Sequence, residues 1–201
     1  DLKGIPKDFE KAFDWYSKSA EQGHNQAQHS LGIFFEQGLG GHPKDRDKAI
    51  HWYTKAAEQE NIDSQFSLGF LYISKKNNPD EIKKAIHWFT LAAEQGHTDA
   101  QYNLGLFYKV GRGVVKNYKT ATNWYLLAAK QGNARAQHNL ALMYQSGKGV
   151  LQDYRAAAKW YALSAKQGNK NAQVNLGQMY LNGLGVKKDY IYAYMWWKIA
   201  K

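Results

Sequence analysis

Along the chain, small and apolar residues recur in two alternating patterns, both with helical spacing. In the first, Ala100-Gln101-Tyr102-Asn103-Leu104-Gly105-Leu106-Phe107-Tyr108, positions 100, 104, 105 and 108 fall on one stripe at i, i+4, i+5 and i+8. In the second, Ala121, Trp124, Tyr125, Ala128 and Ala129 stand at i, i+3, i+4, i+7 and i+8, one apolar face of a helix. No segment carries a strand signal, so the patterns predict helix, turn, helix, turn throughout.

Punctuation between the patterns agrees. Asp8, Asp45, Asn117, Asp153 and Asp189 stand seven residues before a tryptophan, with Glu81 in the corresponding place of the third unit. Their side-chain oxygens suit helix N-caps. Gln-Gly at 22–23, 95–96, 131–132 and 167–168 suits a left-handed glycine at the helix C-terminus, and Gly-x-Gly at 38–40, 111–113, 147–149 and 183–185 ends the other helix.

These patterns are copies of one unit. Tryptophans at 15, 52, 88, 124, 160 and 196 are spaced by 37 and then four times by 36, each preceded three residues earlier by an alanine (12, 49, 85, 121, 157, 193). Leu31-Gly32, Leu68-Gly69, Leu104-Gly105, Leu140-Ala141 and Leu176-Gly177 keep the same beat. A helical hairpin of about 36 residues cannot bury its own apolar face, so neighbours must stack on a continuous core. The tryptophans and the ladder Phe35, Tyr72, Tyr108, Tyr144 and Tyr180 keep phase with the alanines and are read as core. The small residue after each leucine is read as a close approach of two helices.

The unit Ala-x-x-x-Leu-Gly-x-x-Tyr, Gly-x-Gly-Val, Asp-Tyr-x-x-Ala-x-x-Trp-Tyr-x-x-Ala-Ala-x-Gln-Gly resembles the Sel-one-like repeat (SLR), a branch of the tetratricopeptide-repeat solenoids. The resemblance covers essentially the whole chain. It implies an all-α, right-handed α/α superhelical solenoid in one domain over 1–201, with units at about 1–23 (partial), 24–60, 61–96, 97–132, 133–168 and 169–201. It also implies a non-catalytic scaffold or adaptor that binds other proteins, without a cofactor, in bacterial envelope, secreted or quality-control settings. Two departures stand out: Gly41 is an extra residue and Glu60 replaces the C-cap glycine in the second unit, and Ser74 to Pro79 replace Gly-x-Gly-Val in the third. The paths of the loops 38–46 and 74–80 are therefore expected to differ. Both ends break inside a unit, which reads as a fragment of a longer array.

Charge is segregated. Residues 1–100 carry twelve Lys and Arg against fifteen acids, and residues 101–201 carry fifteen against only Asp153 and Asp189. Over a solenoid the halves would lie farther apart than the ~8 Å Debye length and present separate fields. There is no cysteine and hence no disulfide or thiolate chemistry, and no apolar run reaches the ~18–20 residues of a membrane span. The seven histidines (24, 29, 42, 51, 87, 97, 138) form no metal motif, the Gly-x-Gly turns lack the Lys-Ser/Thr of a phosphate loop, and no serine or threonine sits in a nucleophile context.

In the fold that the resemblance implies, the Leu-Gly helix lines a concave groove, and positions two before, two after and five after the leucine face it. Two before stand His29, Phe66, Tyr102, His138 and Val174; two after, Ile33, Phe70, Leu106, Leu142 and Gln178; five after, Glu36, Ile73, Lys109, Gln145 and Leu181. Phe66, Phe70 and Tyr102 are expected to form an aromatic patch suited to a protein hot spot. Asn103, Asn139 and Asn175, one before the leucine, are expected to bond the backbone of an extended peptide. The basic half is expected to present Lys109, Arg112, Lys116, Lys119, Arg135, Lys148 and Arg155 to an acidic partner. Nucleic-acid binding through that half, and a regulatory repeat domain of a larger protein, stand as alternatives; scarce arginine and core aromatics count against the first.

Overall fold

The structure, a computed structural model, describes residues 8–74 and 78–201, with eleven helices and no strand among them. The helices are α1 (Phe9–Glu21), α2 (Asn25–Gln37), α3 (Arg46–Ala57), α4 (Ile62–Ser74), α5 (Pro79–Glu94), α6 (Thr98–Val110), α7 (Tyr118–Lys130), α8 (Ala134–Ser146), α9 (Tyr154–Lys166), α10 (Lys170–Asn182) and α11 (Tyr190–Ile199). Contacts group the chain into two compact units where a single domain was expected: one carries α1–α5 and ends at His97, and the other starts at Thr98 and carries α6–α11. In the first, α2 pairs with α3 and α4 with α5; in the second, α6 with α7, α8 with α9 and α10 with α11, each pair packing on the next within its unit.

The caps fall as the sequence predicts, with one correction. Asp8, Asp45, Asn117, Asp153 and Asp189 accept hydrogen bonds from the first-turn amides of α1, α3, α7, α9 and α11. In the third unit the cap is Asn78, not Glu81: the Asn78 side chain accepts from the Asp80 amide, and Pro79 at the first helical position lengthens α5 to 16 residues. Glu81 instead binds the Arg46 guanidinium at 2.9 Å. The expectation for 74–80 falls partly on residues 75–77, outside the described residues.

The extra Gly41 is absorbed locally. The amide of Asp45 donates to the carbonyl of Phe35 at 2.8 Å, the same return bond as Asn117 to Tyr108, Asp153 to Tyr144 and Asp189 to Tyr180. One more residue is held within a tight turn in which the His42 amide meets the Leu39 carbonyl. Glu60 holds the left-handed φ of 62° that glycine holds in the other units, and it is the one such non-glycine among the described residues.

In the four middle hairpins the deepest aromatic is the residue after the tryptophan. Tyr53, Phe89, Tyr125 and Tyr161 are at most 1% exposed, whereas Trp52, Trp88, Trp124, Trp160 and Trp196 are only half-buried and Trp15 is exposed. Turning one residue along a helix rotates the side chain by about 100°, which carries Trp52 and Trp160 off the hairpin's own core and onto two successive cores at once. The buried ring also accounts for the glycine after each leucine. A Cβ at Gly32, Gly69, Gly105 or Gly177 would overlap the ring of Tyr53, Phe89, Tyr125 or Trp197, and at Gly177 it would also press on the Ala193 carbonyl. In the Gly-x-Gly turns the second glycine is needed twice over: Gly149 and Gly185 have φ of 75° and 69°, and an added Cβ would strike the carbonyls of Tyr118 and Tyr154 in the preceding hairpin.

Candidate partner-binding face

The positions expected to face a partner divide by burial. On the even helices of the first unit, His29 of α2 is 9% exposed and its Nδ1 is hydrogen-bonded to Ser64 Oγ of α4 at 2.8 Å, so it joins two hairpins and is withdrawn from any surface. Burial lowers its pKa, opposed by Asp63 and Glu36. Ile33 is half-buried, and Phe66 packs inward on Phe89 at 5.7 Å and stacks on His97 at 4.2 Å. Phe70, 5.9 Å from Phe66, is 53% exposed and is the open aromatic of this face. Two members of the expected aromatic patch are thus neighbours, one of them open; Tyr102 belongs to the other unit.

In the second unit Tyr102, Asn103, Leu106, His138 and Leu142 are half-buried, and Val174 and Gln178 are exposed. Arg135 lies 4.8 Å over the Tyr102 ring and pairs with Asp99 at 3.0 Å. The asparagine row corrects the expectation: Asn139 is buried at 8%, and Asn175 is engaged with His138 Nε2 at 3.1 Å. Asn175 thus serves a bond to the adjoining hairpin and Asn139 is withdrawn from the surface, while Asn103 is half-buried. His138, like His29, has its pKa lowered by burial, and Lys109 adds to the effect.

The five-after row closes the buried aromatics. Glu36 accepts from the Tyr53 hydroxyl at 2.7 Å and Gln145 from the Tyr161 hydroxyl at 2.6 Å. Where the aromatic is Phe89 the residue is Ile73, and where it is Trp197 it is Leu181. Lys109 breaks the rule: an ammonium cannot accept a bond, and the Tyr125 hydroxyl is buried without a partner among the described residues.

Of the basic residues, three converge. Lys109 at the end of α6, Lys116 before α7 and Lys148 after α8 line one cleft of about 750 Å³ with Tyr118, Leu142, Met143 and Gln145. The Lys116 and Lys148 ammonium groups lie 4.8 and 5.6 Å over the Tyr118 ring. The hydrogen bond from Lys116, with the fields of Lys148 and Lys109, pulls the Tyr118 phenol below its ordinary pKa, and burial with the nearby Lys148 lowers that of Lys109. Arg112, Lys119, Arg135 and Arg155 are exposed but line no part of this cleft. Among the described residues no helix is long and apolar enough to cross a membrane, and no group of three or more His, Asp or Glu is arranged to hold a metal.

The Sel1 repeat profile matches residues 1–24, 25–61, 62–97, 98–133, 134–169 and 170–201. The chain belongs to the Sel1 repeat family. Solved structures agree: a Sel1 repeat protein from Oxalobacter formigenes is 34% identical with a TM-score of 0.88 over 96% of this chain and 79% of its own. A protective antigen of uropathogenic Escherichia coli displaying an SLR fold is also 34% identical at a TM-score of 0.88, over 94% of this chain. The present chain spans 40% of that antigen. An immunity protein from Pseudomonas aeruginosa, 24% identical at a TM-score of 0.57, shares the fold over 98% of this chain and 75% of its own. No curated protein sequence matches the chain.

Sel1 repeats are generally protein-interaction scaffolds, and their hairpins must be tied together for a face to persist. The tie here is a glutamine that the sequence reading passed over. Gln28, Gln65, Gln137 and Gln173 are buried on the even helices and donate to the carbonyls of Ala20, Ala57, Ala129 and Ala165 at the end of the preceding helix. Gln28, Gln65, Gln101 and Gln137 also accept, at 2.8 Å each, from Gln59, Gln95, Gln131 and Gln167 after the helix that follows. Their signal was present: a glutamine precedes the leucine by three in every unit.

Proposed function

We propose that the chain is a non-catalytic Sel1 repeat scaffold that binds a partner protein on the even-helix face, with the second unit directed to an acidic surface. The observation that carries this reading is a constant frame bearing a variable face. Leu31, Leu68, Leu104, Leu140 and Leu176 are all at most 2% exposed, while the residues two positions on are Ile33, Phe70, Leu106, Leu142 and Gln178. Variation on a face that leaves the buried leucines unchanged can select a partner without disturbing the core. Phe70, open and apolar beside Phe66, has the character of an interface anchor. The two remaining acids after residue 101, Asp153 and Asp189, both serve as helix caps, which leaves the amines of the second unit largely unopposed.

The Sel1 repeat family to which the chain belongs consists generally of protein-interaction scaffolds, and the same use is proposed for this chain. Against nucleic acid stands the scarcity of arginine: Arg112, Arg135 and Arg155 are the three after residue 101, and Arg135 is already paired with Asp99. The test is quantitative affinity capture followed by purification of the partner. Phe70→Ala lowers affinity for the purified partner about tenfold or more, as an anchor does, while Leu127→Ala, at an exposed site on α7, leaves it unchanged. Equal affinities for both variants overturn the assignment of the face.

A further inference from the structure

The cleft around Lys109, Lys116 and Lys148 differs from its counterpart one hairpin later. There Gln152 occupies the place of Lys116 and Tyr154 that of Tyr118, and the Gln152 amide donates to the Gln145 carbonyl at 2.9 Å and meets the Tyr154 hydroxyl at 3.0 Å. That junction is neutral and satisfies itself. In the earlier junction three cations replace this closure. Among the described residues none of the three makes an ion pair, and the ion pairs of the second unit reduce to Arg135 with Asp99. Three like charges around one cavity repel one another, and Lys109 is half-buried besides, so the arrangement is costly until an anion enters.

The cavity suits a ligand larger than a single small anion. Its volume of about 750 Å³ lies in the range of organic ligand sites, and Val110 and Leu142 put apolar surface beside the amines. Its one aromatic, Tyr118, already carries two ammonium groups over its ring, at 4.8 and 5.6 Å. Leu142 and Gln145 also belong to the even-helix rows, so the cleft opens onto the proposed partner face.

We propose that this cleft is a docking site for an acidic peptide segment of the partner, whose clustered carboxylates bind Lys109, Lys116 and Lys148 while an adjoining apolar side chain rests on Val110 and Leu142. The site rests on the scaffold reading and gives its partner a chemistry. Lysines, which offer point charges with rotatable donors, suit flexible carboxylates at variable spacing better than a rigid planar anion.

The test uses the full chain and a labelled oligoglutamate peptide in fluorescence anisotropy. The wild type binds it and does not bind oligoglutamine. Lys109→Gln, Lys116→Gln and Lys148→Gln each weaken binding about tenfold, the size of one charge-assisted hydrogen bond. Lys159→Gln and Lys166→Gln, which remove the same charge from exposed positions on α9, change it less than about twofold. Equal losses in all five variants reveal a diffuse basic field and overturn the site, as does absence of oligoglutamate binding. Tighter, equally lysine-dependent binding of a single-stranded oligonucleotide overturns the peptide assignment. The scaffold reading fails separately: it survives if the purified partner still binds a variant lacking all three lysines but is lost on Phe70→Ala, and falls if the partner binds neither face.

Discussion

The Tyr161 hydroxyl, wholly buried, donates to Gln145 Oε1 at 2.6 Å, and the corresponding pair one hairpin earlier, Tyr125 and Lys109, makes no such bond. A polar residue is matched to a tyrosine and an apolar one to phenylalanine or tryptophan at every other rung, so Lys109 is a local inconsistency of the repeat. Such conflicts concentrate where function has been placed.

Lys109→Gln supplies the missing acceptor and removes a half-buried charge that faces Lys148. A satisfied buried hydroxyl contributes about 1 kcal/mol, so the variant melts roughly 2–4 °C higher while binding acidic peptide less well. Thermal unfolding followed by circular dichroism reads the first effect, and an unchanged or lowered melting point contradicts the role given to Tyr125.

Gln137 holds three helices, donating to the Ala129 carbonyl and accepting from Gln167. Gln137→Leu removes two hydrogen bonds made from a buried side chain and costs about 1–2 kcal/mol, whereas Gln178→Leu on the exposed face of α10 costs less than about 0.5 kcal/mol. Urea denaturation separates the two, and equal effects would remove the glutamine ladder from the account of inter-hairpin cohesion.

Stability falls as the solution is acidified below neutrality. Burial lowers the pKa of His29 and His138 from the ordinary 6.5, so the unfolded chain takes up their protons first. The neutral imidazoles therefore contribute stability that is complete above pH 6.5 and is lost as pH drops from there toward the lowered folded values. The melting temperature declines between pH 7.5 and 5.5, and His29→Gln makes the decline shallower. A proton titration of the His29 ring with a midpoint above 6.5 contradicts the sign.

The repeat, its caps and its turns were legible in the sequence because each depends on local chemistry recurring in phase: a carboxylate before a helix, a glycine after it, a small residue at a contact. Burial direction was harder to read. Trp160 and Tyr161 differ by one position, and size pointed to the tryptophan as core although the helix turns the tyrosine inward. Glu81 matched the cap by spacing, yet Asn78-Pro79 starts the helix a turn earlier and frees Glu81 for Arg46. The groove rows were placed by resemblance, so it was invisible that His29 bridges to Ser64, that Asn139 is covered, or that Asn175 is spent on His138. Those partners lie about one repeat away in sequence, 35 residues for His29 and 37 for Asn175. Net charge showed that the second half is basic. Only the fold showed that Lys109, Lys116 and Lys148 share a cavity while Arg135 is already paired.

Docking of a partner protein on the even helices can be read position by position. Site-specific photo-crosslinking tests it most directly, with the photoreactive residue placed in turn at Leu106 and Leu142 on α6 and α8, and at Leu127 and Leu163, exposed at 44% and 46% on α7 and α9. The purified partner is expected to be captured from positions 106 and 142 and not from 127 and 163. Capture from 127 and 163 alone would contradict it.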